Sequence, residues 1–83
     1  MEKILITLSV PSVEQDFDVL APDFLPVKEV IPLMAEAAAE ITRQMYVSSG
    51  EEILCREEPS MILEGEYTLQ DYGIANGERL YLI

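Results

Sequence analysis

Eighty-three residues with 16 acids, 5 bases and no histidine describe one small acidic domain, residues 1–83, with a formal net charge of −11. A chain this short buries about 60–65% of its unfolded surface, enough for one modest core and too little for a deep catalytic cleft. Lys3, Lys28, Arg43, Arg56 and Arg79 are scattered rather than gathered into a basic stripe, so nucleic acid is excluded as a partner.

Apolar residues make up 49% of the chain, which argues for a folded protein. Cys55 is the lone cysteine, so no disulfide is possible within the chain, and a reducing, cytoplasmic setting is expected. No apolar run approaches the roughly 18 residues that span a membrane. The opening MEKILITLSV carries one acid and one base and lacks a small-residue cleavage site, so no signal peptide is expected. The acidity repels anionic lipid and favours solubility; it would also steer docking toward a basic partner, although solvation is the plainer reading.

Ile4, Ile6, Leu8 and Val10 alternate with Lys3, Leu5, Thr7 and Ser9, the period of a first strand. Pro11-Ser12 ends it. Glu14 to Leu20 resumes the alternation with Phe17 and Val19 on one face and Asp16 and Asp18 on the other, so the two runs read as an antiparallel hairpin. Asp23 is placed to cap a helix, with Pro26 in its first turn. Val27, Ile31, Met34, Ala38, Ile41 and Met45 then recur at helical spacing, opposite Lys28, Glu29, Glu36, Glu40 and Arg43. Pro32 predicts either a bend or a break. Ser48-Ser49-Gly50 ends the helix.

Ile53 to Arg56 reads as a short strand flanked by acids that blunt its edge. Its register is ambiguous. Burying Ile53 and Cys55 hides two apolar residues and turns Leu54 outward, whereas the opposite choice buries Arg56. Met61 to Leu63 adds a short extended piece. In the closing TLQDYGIANGERLYLI, Leu69 and Ile74 anchor a polar turn, Asn76-Gly77 offers a tight turn, and Leu80 and Leu82 alternate with Arg79, Tyr81 and Ile83 as a final strand. Grouped strands with one helix predict an α+β fold, a mixed four- to five-stranded sheet with the helix on one face. Parallel pairing of the first and last strands would make it a β-grasp. Its expected core is Ile4, Ile6, Leu8, Phe17, Val19, Val27, Ile31, Met34, Ile41, Leu63, Leu69, Leu80 and Leu82.

The stretch TLQDYGIANGERLYLI resembles ubiquitin in its Thr-Leu-x-Asp-Tyr-x-Ile spacing and its alternating last strand. PVKEVI together with LQDYGIANGERL resembles the YukD-like family, small ubiquitin-like proteins of bacterial type VII secretion. The resemblance implies a ubiquitin-like β-grasp and a non-catalytic interaction module, accessory to a secretion apparatus, with a membrane component of that apparatus as partner. The tract from Ala35 to Ser49 is longer than ubiquitin's helix, and Glu57 to Ser60 looks inserted. The resemblance also implies that Tyr72 bonds a nearby loop backbone. The alternatives are a generic β-grasp adaptor in another assembly, or a carrier of the ubiquitin or sulfur-transfer kind. Carrier chemistry needs a flexible tail ending Gly-Gly; the sequence has no Gly-Gly and stops within a strand pattern, so a conjugated modifier is not expected.

The chemical inventory is sparse. Without histidine no Ser-His or Cys-His pair can be built, and one cysteine without histidine makes no ordinary structural zinc site. No cofactor is expected. Glu51, Glu52, Glu57 and Glu58 lack calcium-loop spacing. Cys55 has no accompanying base and reads as a small buried hydrophobe. The binding candidates come from strand parity. If Leu80 and Leu82 face the helix, then Arg79, Tyr81 and Ile83 face outward, joined by Leu5 and Leu54 in an apolar patch with a polar rim. The corresponding face of ubiquitin binds many partners, a likeness that reaches Ile83. The competing readings are scattered exposed apolar residues without a role and a homodimer contact.

Overall fold

The computed structural model describes residues 3–83. In chain order these form β1 (Lys3–Val10), a 3-10 turn (Pro11–Val13), β2 (Gln15–Pro22), α1 (Val27–Ile41), β3 (Leu54–Glu57), β4 (Ser60–Ile62) and β5 (Arg79–Leu82). The five strands form one sheet in the order β2-β1-β5-β3-β4. β1 and β5 lie side by side and parallel, while the other pairings are antiparallel. The fold is the ubiquitin-like β-grasp, with the helix across one face of a mixed sheet.

The period-two pattern of β1 sends Ile4, Ile6, Leu8 and Val10 into the core, where they meet Leu80 and Leu82 from β5 and Val27, Met34 and Ala38 from α1. Phe17, Val19 and Ile31 pack against this core half-buried. The hairpin closes without an Asn-Gly pair. Pro11 opens a 3-10 turn, and Glu14 takes a left-handed conformation, φ 53°, with its N–H donating to the Pro11 carbonyl at 3.1 Å.

Asp23 does not cap the helix. It is buried ahead of it, and the cap position is Pro26. A later loop does the capping: the N–H groups of Val27 and Lys28 donate to the carbonyls of Tyr67 (2.7 Å) and Gly65 (3.1 Å). The loop comes so close that a Cβ at Gly65 would lie 3.1 Å from the Lys28 Cβ. The helix runs through Pro32 as one segment.

Its C-terminus departs from the sequence pattern. The Thr42 hydroxyl donates to the Ala38 carbonyl at 2.7 Å and accepts the Tyr46 N–H at 2.9 Å. Arg43 and Gln44 then adopt φ of 56° and 70°. The helical period stops there, so Met45, expected on the buried stripe, is 70% exposed; Ile41, also expected there, is the last residue of α1 and is 49% exposed. Tyr46 enters the core in their place, and Val30 and Ala35 complete the helix contribution. Tyr72 bonds as expected, its hydroxyl oxygen accepting the Glu64 N–H at 2.7 Å.

The β3 register is the reverse of the expected one. Leu54 pairs with Leu82 and Arg56 with Leu80, so both Leu54 and Arg56 lie on the helix side. Leu54 is fully buried. Two partners offset part of the cost of burying Arg56: Nη1 donates to the Tyr72 carbonyl at 2.8 Å, and Nη2 donates to Glu78 Oε2 at 2.7 Å. The two terminal nitrogens are thus bonded, while Nε is buried without a partner and the stem lies on apolar surface. In the tract from Glu57 to Ser60 that looked inserted, Glu57 and Ser60 pair as the ends of β3 and β4, and Glu58-Pro59, with a cis bond, makes the tight connection between them.

Candidate protein-binding face

The outer face of the sheet, away from α1, carries the residues predicted for docking, in an arrangement that strand register dictates. Cys55 pairs with both Tyr81 and Ile62. Ile53 and Ile83 exchange both backbone hydrogen bonds at 3.0 Å, which sets them opposite one another one step further along. Alternation puts all five side chains on one face. Ile53, Ile62 and Ile83 are exposed, and Cys55 and Tyr81 are half-buried among them. This is a contiguous apolar patch over β3, β4 and β5.

Leu54 has no place in that patch, because it points into the core. Leu5 is on the correct face at the wrong height. Tyr81 pairs with Ser9, four residues along β1 from Leu5, which is about 13 Å of strand. Leu5 instead sits opposite Leu20 as a separate exposed apolar pair. It is fixed there by Asn76-Gly77. The Leu5 N–H donates to Asn76 Oδ1 at 2.8 Å, and the Gly77 N–H, at φ 87°, donates to the Leu5 carbonyl at 2.7 Å. Nothing in the sequence marked Ile62 as a patch residue; only the β3–β4 pairing reveals it. Ile53 was open to recognition from the alternative register.

Between the two apolar areas runs a polar band. Asp16 accepts from Ser9 Oγ at 2.7 Å and from Arg79 Nη1 at 2.6 Å, while Asp18 accepts from the Thr7 hydroxyl at 3.0 Å. The bond from Arg79, then that from Ser9, holds the Asp16 carboxyl below the usual carboxylate range. The Tyr81 hydroxyl donates to Glu57 Oε1 at 2.9 Å, and that bond, with burial and the carboxylate charge behind it, raises the phenol. Arg79 and Tyr81 thus have their polar ends held at the patch rim by acids. Burial pushes the Cys55 thiol up, which works against thiolate reactivity.

Among the described residues there is no pocket and no cluster of His, Cys, Asp or Glu arranged for a metal ion. No helix is long and apolar enough to cross a membrane. The arrangement is an exposed apolar face with a polar rim.

The profile of the family described as "WXG100 protein secretion system (Wss), protein YukD" matches residues 5–82. The chain belongs to the YukD family. YukD proteins are ubiquitin-like components associated with type VII secretion, and solved structures agree with this fold. The ubiquitin-like domain of the Mycobacterium tuberculosis type VII secretion protein EccD1 is similar over all of this chain and 99% of its own, at 18% identity and a TM-score of 0.79. The EccD5 ubiquitin-like domain from Mycobacterium xenopi is similar over all of this chain and 94% of its own, at 13% identity and a TM-score of 0.84. A chain of an ESX-5 inner membrane complex is similar over all of this YukD-family chain and 21% of its own, at 15% identity and a TM-score of 0.83. No curated protein matches the sequence.

Proposed function

We propose that this domain is a non-catalytic protein-interaction module, accessory to a type VII secretion apparatus on its cytoplasmic side. It docks onto a membrane component of that apparatus through the outer sheet face. The docking residues are Tyr81 and Ile83, joined by Ile53, Cys55 and Ile62, with Arg79 at the rim. The observation that carries this reading is the contiguous apolar patch, exposed on a chain whose family belongs to a secretion system. A cluster of aliphatic residues around a tyrosine, edged by a paired arginine, has the composition of a binding hot spot. The similarity to one segment of a chain in an inner membrane complex supports a membrane component as the partner class. The acidic balance favours an encounter with a basic surface.

The test is capture from solubilised membranes of the native host, with wild-type protein and the Tyr81→Ser/Ile83→Ser variant side by side. Recovery of a type VII membrane component by the wild type and its loss from the variant is the expected result. Equal recovery by both would remove the sheet face from the interaction. Recovery of another assembly alone would favour the generic adaptor.

A further inference from the structure

The edge formed by β2 lies at the other end of the sheet from the patch. β2 is a terminal strand of the sheet and runs for 8 residues, whereas β4 at the other edge has 3. The Thr7 N–H donates to the Glu78 carbonyl at 3.0 Å, and the Leu5 carbonyl accepts from Gly77. The backbone groups of Leu5 and Thr7 therefore point toward β5, and those of Ile4, Ile6 and Leu8 toward β2. Because Ile6 pairs with Val19 and Leu8 with Phe17, the backbone groups of Asp16, Asp18 and Leu20 point away from the sheet, at an edge with no strand beside it among the described residues.

The two sides of this edge differ in chemistry. The outer side presents the Asp16 carboxylate, already paired with Arg79, and the Asp18 carboxylate, which carries no salt bridge among the described residues. The inner side presents Phe17 and Val19, half-buried, and continues onto the helix. Lys28 bonds the Gly65 carbonyl and Glu66, in the loop that follows β4. At about 100° per residue, Leu33, Ala37 and Ile41 lie on the opposite flank of α1, the β2 side. Leu33 and Ile41 are 44% and 49% exposed.

We propose that the β2 edge accepts a sixth strand from a protein partner, an extended segment of alternating basic and apolar residues. Its backbone pairs with Asp16, Asp18 and Leu20. Its apolar side chains lie against Phe17, Val19 and the Leu33–Ile41 flank, and its basic side chains lie beside the two aspartates. Charge selects the occupant. A second copy of this edge would set aspartate against aspartate on a chain of net charge −11, which is how natural edges resist self-pairing, whereas a basic segment turns the same charges to attraction. This surface lies at the other end of the sheet from the patch around Tyr81, and Arg79 at the patch rim reaches it through Asp16.

The test is titration of the isotope-labelled domain with a short blocked peptide alternating lysine and valine. A peptide of the same composition with its lysines grouped at one end serves as control. The alternating peptide is expected to bind, to shift amides of β2 and of the Leu33–Ile41 flank, and to protect the Asp18 and Leu20 amides from exchange. Asp18→Pro deletes an outward-facing edge donor, a change that edge strands tolerate, and is expected to weaken binding at least about tenfold. Asp18→Asn, which keeps the backbone, is expected to weaken it at low salt if the proline variant does not fold. Absence of binding, equal binding of the grouped peptide, shifts centred on Tyr81 and Ile83, or unchanged affinity in both folded variants would overturn the proposal.

Discussion

Arg56 Nη2 donates to Glu78 Oε2 at 2.7 Å from the helix side of the sheet, with the two side chains only 12% and 22% exposed. This contact decides which way β3 faces. Hydrophobic patterning alone prefers to bury Ile53 and Cys55. The carboxylate of Glu78 and the carbonyl of Tyr72 supply partners that make Arg56 the better inward residue, and Leu54 follows it inward. Removing one partner strands the other half-buried. Arg56→Ala and Glu78→Ala are each expected to lower stability by about 1–3 kcal/mol. The double variant should lose less than the sum, a coupling that a double-mutant cycle in urea would measure.

The reversed register makes a second contrast between neighbours. Leu54→Ala should cost about 2–5 kcal/mol, as should Leu80→Ala, because both vacate the fully buried core. Ile53→Ala, on the outer face, should cost less than about 1 kcal/mol. Denaturation midpoints of the three variants check this, and the opposite ordering of Leu54 and Ile53 would restore the register that patterning favours.

These two residues also mark where the sequence stopped being legible. β1, the hairpin, the start of α1 and β5 were readable because each buries one face with a clear period, and Leu80 and Leu82 lie where alternation put them. β3 is four residues with apolar side chains on both faces, so alternation gave no answer, and what broke the tie was a contact to Glu78, 22 residues away. The end of α1 was hidden for a related reason. The helical period continues on paper through Ile41 to Met45, but Thr42 ties off the last turn and Tyr46 takes the core position. At the docking face Tyr81, Ile83 and Arg79 followed from parity. The height of Leu5 depended on the stagger between two parallel strands, which no local pattern encodes.

Tyr46 also forms a titratable clip. Its hydroxyl donates to Glu52 Oε2 at 2.5 Å, and the same oxygen accepts the Ser49 N–H at 3.0 Å. Burial pushes the Glu52 carboxyl up, but bonds from the Tyr46 and Ser48 hydroxyls and from backbone N–H groups outweigh it and hold the group at about 2, against 4.5 ordinarily. A carboxyl whose pKa falls on folding adds stability above its unfolded value, and that stability is lost as pH drops toward its folded one. Glu52→Gln should therefore be less stable than wild type by about 1–2 kcal/mol at pH 7. The gap should close between pH 4.5 and about 2. Thermal melts of both proteins across that range test it; a gap that stayed constant with pH would show that Glu52 acts without its charge.

Tyr81→Ser/Ile83→Ser should leave the fold in place, within about 1 kcal/mol of wild type, since neither side chain belongs to the core. Affinity for the partner should fall by about 2 kcal/mol or more if the two are anchors. Calorimetry of folding and of binding on the same variant separates the two effects.

The central claim, that the sheet face carries the partner, is tested most directly by photocrosslinking in the native host. A photoreactive residue is placed at Ile83 on the patch and, separately, at Glu36 on the exposed side of α1. The predicted result is a covalent adduct with a membrane component of the type VII apparatus from position 83 and none from position 36. An adduct from position 36 with none from position 83 would contradict it.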